Sequence, residues 1–269
     1  MSTAGTILAA LSRRAPITAR VIVIAAHPDD ETIGLGATVA RFRDALLAHV
    51  TDGAPRDGRD MRAHGFSTLA AYAAAREREL TAALAAGGAV RLRRARLGFP
   101  DGEAWRDLAG LARRVRDLIR AERPAALFVH PYEGGHPDHD AAAFAAHAAC
   151  RMRGDRAPAL IEMTSYYKEG AGRATGSFLP GGTAAVSLVL NRHERRRKRA
   201  MLDCFATQRA VLAGFATAVE RYRAAPDYDF TRPPHPGRLY YEGEAWGIAG
   251  ALWRERAAVA LAELGLAAP

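Results

Sequence analysis

Cysteine is almost absent: Cys150 and Cys204 are the only two in 269 residues, and neither lies in a C-x-x-C. That excludes a disulfide scaffold and a cysteine-built zinc module, and it predicts two buried free thiols in a reducing compartment. Lysine is scarce beside arginine, and aromatics make up only 7%. No basic stripe is interleaved with aromatic residues, and no zinc-finger or RRM signature occurs, so a nucleic-acid partner is not expected. No apolar run reaches the ~18 residues needed to span a bilayer. The N-terminal apolar patch has no positive segment before it and is followed by Arg13 and Arg14, a poor secretory signal. The expectation is a cytoplasmic protein. No G-x-G-x-x-G follows the first strand: Gly34 and Gly36 come only after a run of acids.

What is present is alanine, arginine and a large apolar fraction. The chain is 49% hydrophobic, which supports a substantial core and many alanine-rich helices. Net charge is +9. The arginines are mostly scattered over predicted helix faces, as solvated faces usually are. The charge hints at an anionic group on the substrate, and Arg192–Arg199 is the patch it points to, although a solvated helix face is its ordinary role.

Apolar runs alternate with helical segments. Val21–Ala26 reads as a buried parallel strand, followed by a helix over Thr32–Arg43. Further strands are expected at Ala45–Gly53, Ala89–Phe99, Ala125–Pro131 and Ala159–Tyr167, with helices over Phe66–Ala86, Trp105–Glu122 and Asp138–Arg153. A Gly-rich loop over Gly170–Gly182 precedes another strand at Thr183–Asn191. Asn191–Ala224 reads as helical, and a last helix lies near Ala249–Leu264. This alternation predicts an α/β fold: one Rossmann-like, doubly wound, mainly parallel sheet of order 3-2-1-4-5 plus extra strands, flanked by helices. The expectation is one domain over 1–269, with its core at about 20–210 and a C-terminal extension, 211–269, packed on it.

Two polar clusters follow buried strands. The first strand runs into His27-Pro28-Asp29-Asp30-Glu31, and the fourth leads to His136-Pro137-Asp138-His139. In the expected strand order these ends are neighbours at the switch point, where doubly wound sheets bind ligands. His27 and Asp30 stand three apart at a helix start and can face the same way. A histidine from the second cluster completes two imidazoles and a carboxylate, a catalytic zinc set with one position left for water. Asp29, between the two ligands, points elsewhere, toward that water, and is placed to act as general base. The same acids also suit ordinary helix N-caps.

The segments AHPDDETIGLG and GGHPDH resemble the LmbE-like, GlcNAc-phosphatidylinositol de-N-acetylase (PIG-L) family of zinc-dependent deacetylases. Supporting segments are Thr51–Gly53, the Arg76-x-x-Glu79-Leu80 helix, LGFPDGE, and Lys198–Gln208, so the resemblance covers about Val21 to Gln208. It implies His27, Asp30 and His139 as ligands of Zn2+ or another divalent metal, and Asp29 as general base. It implies His136 beside the carbonyl oxygen or leaving nitrogen, with Asp138 orienting it. It places Arg76 and Asp101 against substrate hydroxyls; their ordinary uses are an ion pair with Glu77 or Glu79 and a Pro-Asp-Gly turn.

One departure is that Gly134 stands two before His136, where some members carry a tyrosine; Tyr132 and Glu133 are displaced from that point. His130 is a candidate pocket-lining residue, although a strand-end histidine is its ordinary role, and His147 lies two helical turns beyond His139. The loops at Ala54–Gly65 and Gly170–Gly182 are candidate pocket walls. The implied reaction is hydrolysis of the N-acetyl group of a small-molecule amino-sugar conjugate. Alternatives are an amidase for a larger conjugate with the same metal, and a non-catalytic nucleotide-binding module.

Overall fold

The run VIVIA forms strand β1 (Val21–Ala25), with all five residues buried. Side chains alternate across a strand. Ile22 and Ile24 therefore enter one apolar cluster, and Val21, Val23 and Ala25 enter another on the opposite face. Each such side chain contributes roughly 1.5–3 kcal/mol by burial. The structure, a computed structural model, describes residues 2–243 and 247–267.

Strands β2 (Ala45–His49), β3 (Arg93–Arg96), β4 (Ala126–Val129) and β5 (Ala159–Met163) join β1 in parallel, in the order β3-β2-β1-β4-β5. Val21 is in register with Ala45 on one side and Ala126 on the other. The carboxyl ends of β1 and β4 therefore open side by side, where the strand order reverses.

A hairpin of β6 (Tyr166–Glu169) and β7 (Gly172–Thr175) stands apart from this sheet. Strands β8 (Ala185–Val189) and β9 (Val219–Ala224) extend the sheet beyond β5, both antiparallel to their neighbours, with β9 interior.

Helices cover both faces. α1 (Thr3–Ser12), α4 (Leu69–Ala86) and α7 (Arg192–Asp203) pack on one; α5 (Leu108–Glu122), α6 (Pro137–Arg153) and α9 (Gly250–Glu263) pack on the other. Short helices α2 (Asp30–Leu35), α3 (Arg59–Ala63) and α8 (Arg209–Leu212) sit near the strand ends. α6 is buried nearly all round, and its alanines allow close approach to α5. Trp253 on α9 donates its indole N–H to the Pro137 carbonyl at the start of α6, 3.2 Å away. Among the described residues, no helix is long and apolar enough to cross a membrane.

Five local expectations are corrected. Thr32–Arg43 is not one helix: α2 ends at Leu35, and a 3-10 turn follows at Val39–Arg41, because Gly34 and Gly36 weaken the helix. Asn191–Ala224 is not helical throughout. It contains α7, α8 and strand β9, whose Glu220 and Arg223 point inward as buried ion pairs and hide the apolar alternation. The stretch Ala159–Tyr167 is two strands, interrupted at Thr164 and Ser165, and the Gly-rich loop contains β7. Cys150 is buried, but Cys204 is half-exposed; both are free.

Candidate active site and metal centre

The end of β1 is fastened before any functional group is placed. The Ala26 N–H donates to His130 Nε2 at 3.1 Å, and the Ala26 carbonyl accepts from the Thr51 N–H and hydroxyl. The chain then turns through His27 to Asp30, the first residue of α2. Asp30 Oδ2 accepts the His27 N–H at 2.8 Å and lies 3.3 Å from His27 Nδ1. Its Oδ1 lies 3.2 Å from His139 Nε2. The predicted set His27, Asp30 and His139 is thus drawn together around one carboxylate.

Asp29 occupies the N-cap position of α2 but makes no capping hydrogen bond, and its φ is +144°, a backbone state that non-glycine residues avoid. Two contacts hold it there. Its N–H donates to Glu31 Oε2 at 3.2 Å, and that oxygen also lies 3.1 Å from His49 Nε2 at the end of β2. Arg76 Nη2 donates to the Asp29 carboxylate at 3.0 Å and to the Pro28 carbonyl at 2.7 Å. Arg76 belongs to the buried face of α4, in step with Tyr72, Leu80 and Ala83. Its partner is Asp29 rather than a carboxylate of its own helix: Glu77 pairs with Arg94 and Arg96, and Glu79 binds Thr207. Gly53 adopts φ +69°, and a Cβ there would fall 2.7 Å from Arg76 Nε, so glycine leaves room for the guanidinium.

The second cluster arrives on α6. His136 caps the helix, its Nδ1 accepting the Asp138 N–H at 3.1 Å, and its ring meets that of His27 edge-on at 4.5 Å. His139 Nδ1 faces the Ser165 hydroxyl at 3.1 Å, and its ring stacks on His130 at 4.0 Å. A Cβ on Gly135 would sit 2.0 Å from the Tyr166 carbonyl oxygen, so only glycine lets this loop pass beneath β6. The Asp138 carboxylate accepts the Gly102 and Ala104 N–H groups at 2.7 and 3.0 Å, and its Oδ2 lies 3.5 Å from His27 Nε2. Its contact with His136 is through the backbone, the Asp138 N–H donating to Nδ1. Asp101 also reaches the centre, 3.0 Å from His27 Nε2, and so does more than shape a turn.

These groups line a cavity of about 520 Å³, in which His27, Asp29, Asp30, Arg76, Asp101, His136 and His139 all take part. The loop after β2 contributes Asp57, Arg59 and Asp60. Burial pushes the Asp29 carboxyl up to about 7 against the pull of Arg76. Burial also pushes His136 and His139 down to about 3, leaving both neutral. Burial works against ionised Asp30, but His139 and His130 outweigh it and hold the carboxyl well below its ordinary value. Burial likewise opposes a charge on His27, but Asp101, with Asp138 and Asp30 behind it, holds that imidazole well above its usual range.

This donor set fits a divalent cation. Asp29, Asp30, Asp101 and Asp138 are all buried around one arginine, Arg76, so the site carries excess negative charge. His27 Nε2 is buried near Asp101 yet lacks hydrogen-bond geometry. Ligand atoms of His27, His136 and His139 approach within 4.8 Å of one another, as do those of Asp30, His130 and His139. Mixed imidazole and carboxylate donors suit zinc and several other divalent ions.

Several site residues escape a reading of the sequence. Glu31 and His49 look like a helix-start acid and a strand-end histidine, and only their pairing shows that they brace Asp29. His130, which the sequence leaves open between pocket wall and strand end, stacks on His139 and lies 3.4 Å from Asp30. Tyr166 packs its ring against His139 at 5.4 Å. Tyr132 points away from the cavity: its hydroxyl donates to the Arg232 carbonyl, and its ring packs on Trp253. Glu133 is buried, and burial pushes its carboxyl well above the usual range. His147 lines a second cavity with Phe144, Tyr228 and Phe230. The Arg192–Arg199 run is on α7, outside the residues that line the active-site cavity; Lys198 within it is buried and bonded to Glu220.

Residues 22–150 match the family model described as GlcNAc-PI de-N-acetylase. A 1D-myo-inositol 2-acetamido-2-deoxy-alpha-D-glucopyranoside deacetylase from Tsukamurella paurometabola is 31% identical, over 78% of this chain and 90% of that protein. A protein of the same name from Thermomonospora curvata is 31% identical over 45% of this chain, and the match spans only 48% of that relative's length. In the fold, the teicoplanin deacetylase Orf2 superposes with a TM-score of 0.58 and 18% identity, covering 76% of this chain and 96% of that one.

Proposed function

This chain belongs to the GlcNAc-PI de-N-acetylase (PIG-L) family, and from that premise we propose that it is a metal-dependent N-deacetylase that hydrolyses the N-acetyl group of an amino sugar in a GlcNAc-containing conjugate. The observation that carries the reading is the meeting of two motifs, more than 100 residues apart in the chain, in one cavity. There an anion-rich donor set stands beside a separate carboxylate, Asp29, clamped by Arg76.

His27, Asp30 and His139 would hold the cation, for which we propose zinc. When bound, such a cation lowers the pKa of a water to roughly 7 and polarises the amide carbonyl. Asp29 takes the proton of the attacking water; a carboxyl raised by burial is a better base than an exposed one. Arg76 and the Glu31–His49 pair keep Asp29 from rotating away or relaxing its backbone. His136 is neutral and its ring meets that of His27 edge-on in the cavity, so its imidazole can hydrogen-bond the developing oxyanion or pass a proton to the leaving amine. Asp138 orients His136 through its backbone N–H, and Asp101 and Arg76 border the space for sugar hydroxyls. The two thiols form no disulfide, which suits a cytoplasmic enzyme. A nucleotide-binding module is disfavoured, because the turn after β1 that would cradle phosphate is filled by His27, Asp29 and Asp30.

The test is incubation of the zinc-loaded full chain with a panel of N-acetylglucosaminides, read by mass spectrometry together with an acetate assay. The expected result is loss of one acetyl group from at least one compound, with equimolar acetate. Cleavage elsewhere in the conjugate with the acetyl retained, or no turnover of any panel member by metal-replete protein, would overturn the reading.

A further inference from the structure

The cavity has two unlike walls. One is polar and carries Asp57, Asp60, Arg76, Asp101 and Glu103. The other is mostly apolar, built from Ile33, Tyr166, Val211, Leu212, Phe215 and Ile248. A single charged side chain enters that second wall: Arg173, on β7. Its Cζ stands 4.6 Å from the Phe215 ring centre and 5.5 Å from that of Tyr166, and its Nη2 donates to the Val211 carbonyl at 2.5 Å.

The charge of Arg173 is uncompensated by protein. Among the described residues, no carboxylate comes within ion-pair distance of it. The four other arginines of the same cavity each have one: Arg56 lies 3.0 Å from Asp52, Arg59 lies 2.5 Å from Asp57, Arg76 lies 3.0 Å from Asp29, and Arg106 lies 3.9 Å from Glu103. Arg173 is half-buried, so water screens it less than it would a surface residue. A guanidinium carries five N–H donors in a rigid fork, and only one is matched here with an acceptor. The aromatic faces fix the plane of the fork and supply no counter-charge. Such a group is preorganised for a carboxylate or phosphate, which it can bind through two parallel hydrogen bonds.

Its position defines what would carry that anion. The Tyr166 ring links Arg173 to the candidate metal donor His139: it meets the imidazole edge-on at 5.4 Å and lies 5.5 Å from the Arg173 Cζ. With the acetamido group at the metal donors, the sugar ring spans about the width of Tyr166, and the next group of the conjugate meets Arg173.

We propose that Arg173 is an anion subsite: it receives a carboxylate or phosphate on the group conjugated to the amino sugar, whose apolar portion lies along Val211, Leu212 and Phe215. The substrate is then an acidic conjugate. This rests on the deacetylase reading only for the placement of the sugar; the anion site itself rests on the unpaired guanidinium.

Calorimetric titration of the full chain with three synthetic N-acetylglucosaminides tests it. These carry a 4-carboxyphenyl, a 4-phosphonophenyl and an uncharged 4-carbamoylphenyl aglycone. The two anions separate carboxylate from phosphate recognition. At least one should bind about tenfold more tightly than the carbamoyl compound, a preference that shrinks with added salt. Arg173→Gln should bring the ratio close to one, and Arg173→Lys, which keeps charge but loses the fork, should retain part of it. Equal affinities for all three in the wild-type protein overturn the proposal, as does a ratio that survives in folded Arg173→Gln; the wild-type comparison decides even if that variant does not fold. Acetate release from the same compounds is read separately. An anion preference without acetate keeps the subsite and removes the deacetylase, whereas acetate from all three at equal affinity does the reverse.

Discussion

Asp29 concentrates the cost of this site in one residue. Its backbone sits at φ +144°, and such outliers cost about 1–3 kcal/mol unless the surroundings hold them. The braces are Glu31 on its N–H and Arg76 on its carboxylate. Asp29→Asn keeps shape and volume and removes the proposed base. The expected outcome is a metal content equal to wild type by elemental analysis, with kcat lower by about 10²–10⁴-fold, the usual contribution of a positioned base. A variant that turned over within a few-fold of wild type would remove Asp29 from the reaction. The histidines and acids near it were legible in the sequence, because runs such as His27-Pro28-Asp29-Asp30 after a buried strand have few structural uses. Arg76, Glu31 and His49 were harder to read. Each has a commonplace local explanation, and their actual partners are fixed by packing between elements that lie far apart in the chain.

The same distinction holds among the elements. The five parallel strands were legible, since β1 and β4 are continuous apolar runs whose burial on both faces leaves no alternation to misread. β9 was not, because its inward positions include Glu220 and Arg223, made tolerable only by partners on other elements. Lys198 on α7 donates to Glu220 at 3.0 Å and to the Ile33 carbonyl at 2.6 Å, tying β9 to the far end of the helix that starts at Asp30. Glu220 also accepts the Ala37 N–H, the Thr38 hydroxyl and the Tyr222 hydroxyl. Replacing Lys198 by Met leaves that carboxylate buried without its cation. The expected loss is about 3–5 kcal/mol in urea unfolding, and Lys198→Met combined with Glu220→Gln should recover much of it, because the unpaired charge is then gone. Equal stabilities for the single and double variants would mean that the ion pair is not what holds β9 to α2.

For the whole molecule, buried titratable groups far from the candidate metal donors make stability depend on pH. His147 borders the second cavity, of about 500 Å³, and its Nε2 is buried without a partner. Burial pushes this imidazole down to about 4, below the roughly 6.5 of an unfolded chain. Between those values the unfolded chain takes up a proton that the folded one refuses. The contribution of His147 is therefore complete above about pH 6.5 and is lost as pH falls toward 4, by at most about 3 kcal/mol and less for the part of the ring that solvent reaches. Glu162 on β5 has the opposite sign: burial raises it to about 7, so its contribution is present at low pH and is lost as pH rises through that value. The two slopes partly cancel in the wild-type curve, which is why a single protein's profile would not separate them. His147→Gln removes one titration and leaves Glu162 in place. Measured by urea unfolding at half-unit steps from pH 4 to 8, the wild type should lose stability relative to the variant as pH falls below 6.5, while the difference stays flat above 7. Two parallel curves over the whole range would show that His147 is as well solvated folded as unfolded, and the acid sensitivity would then have to be sought among the site histidines.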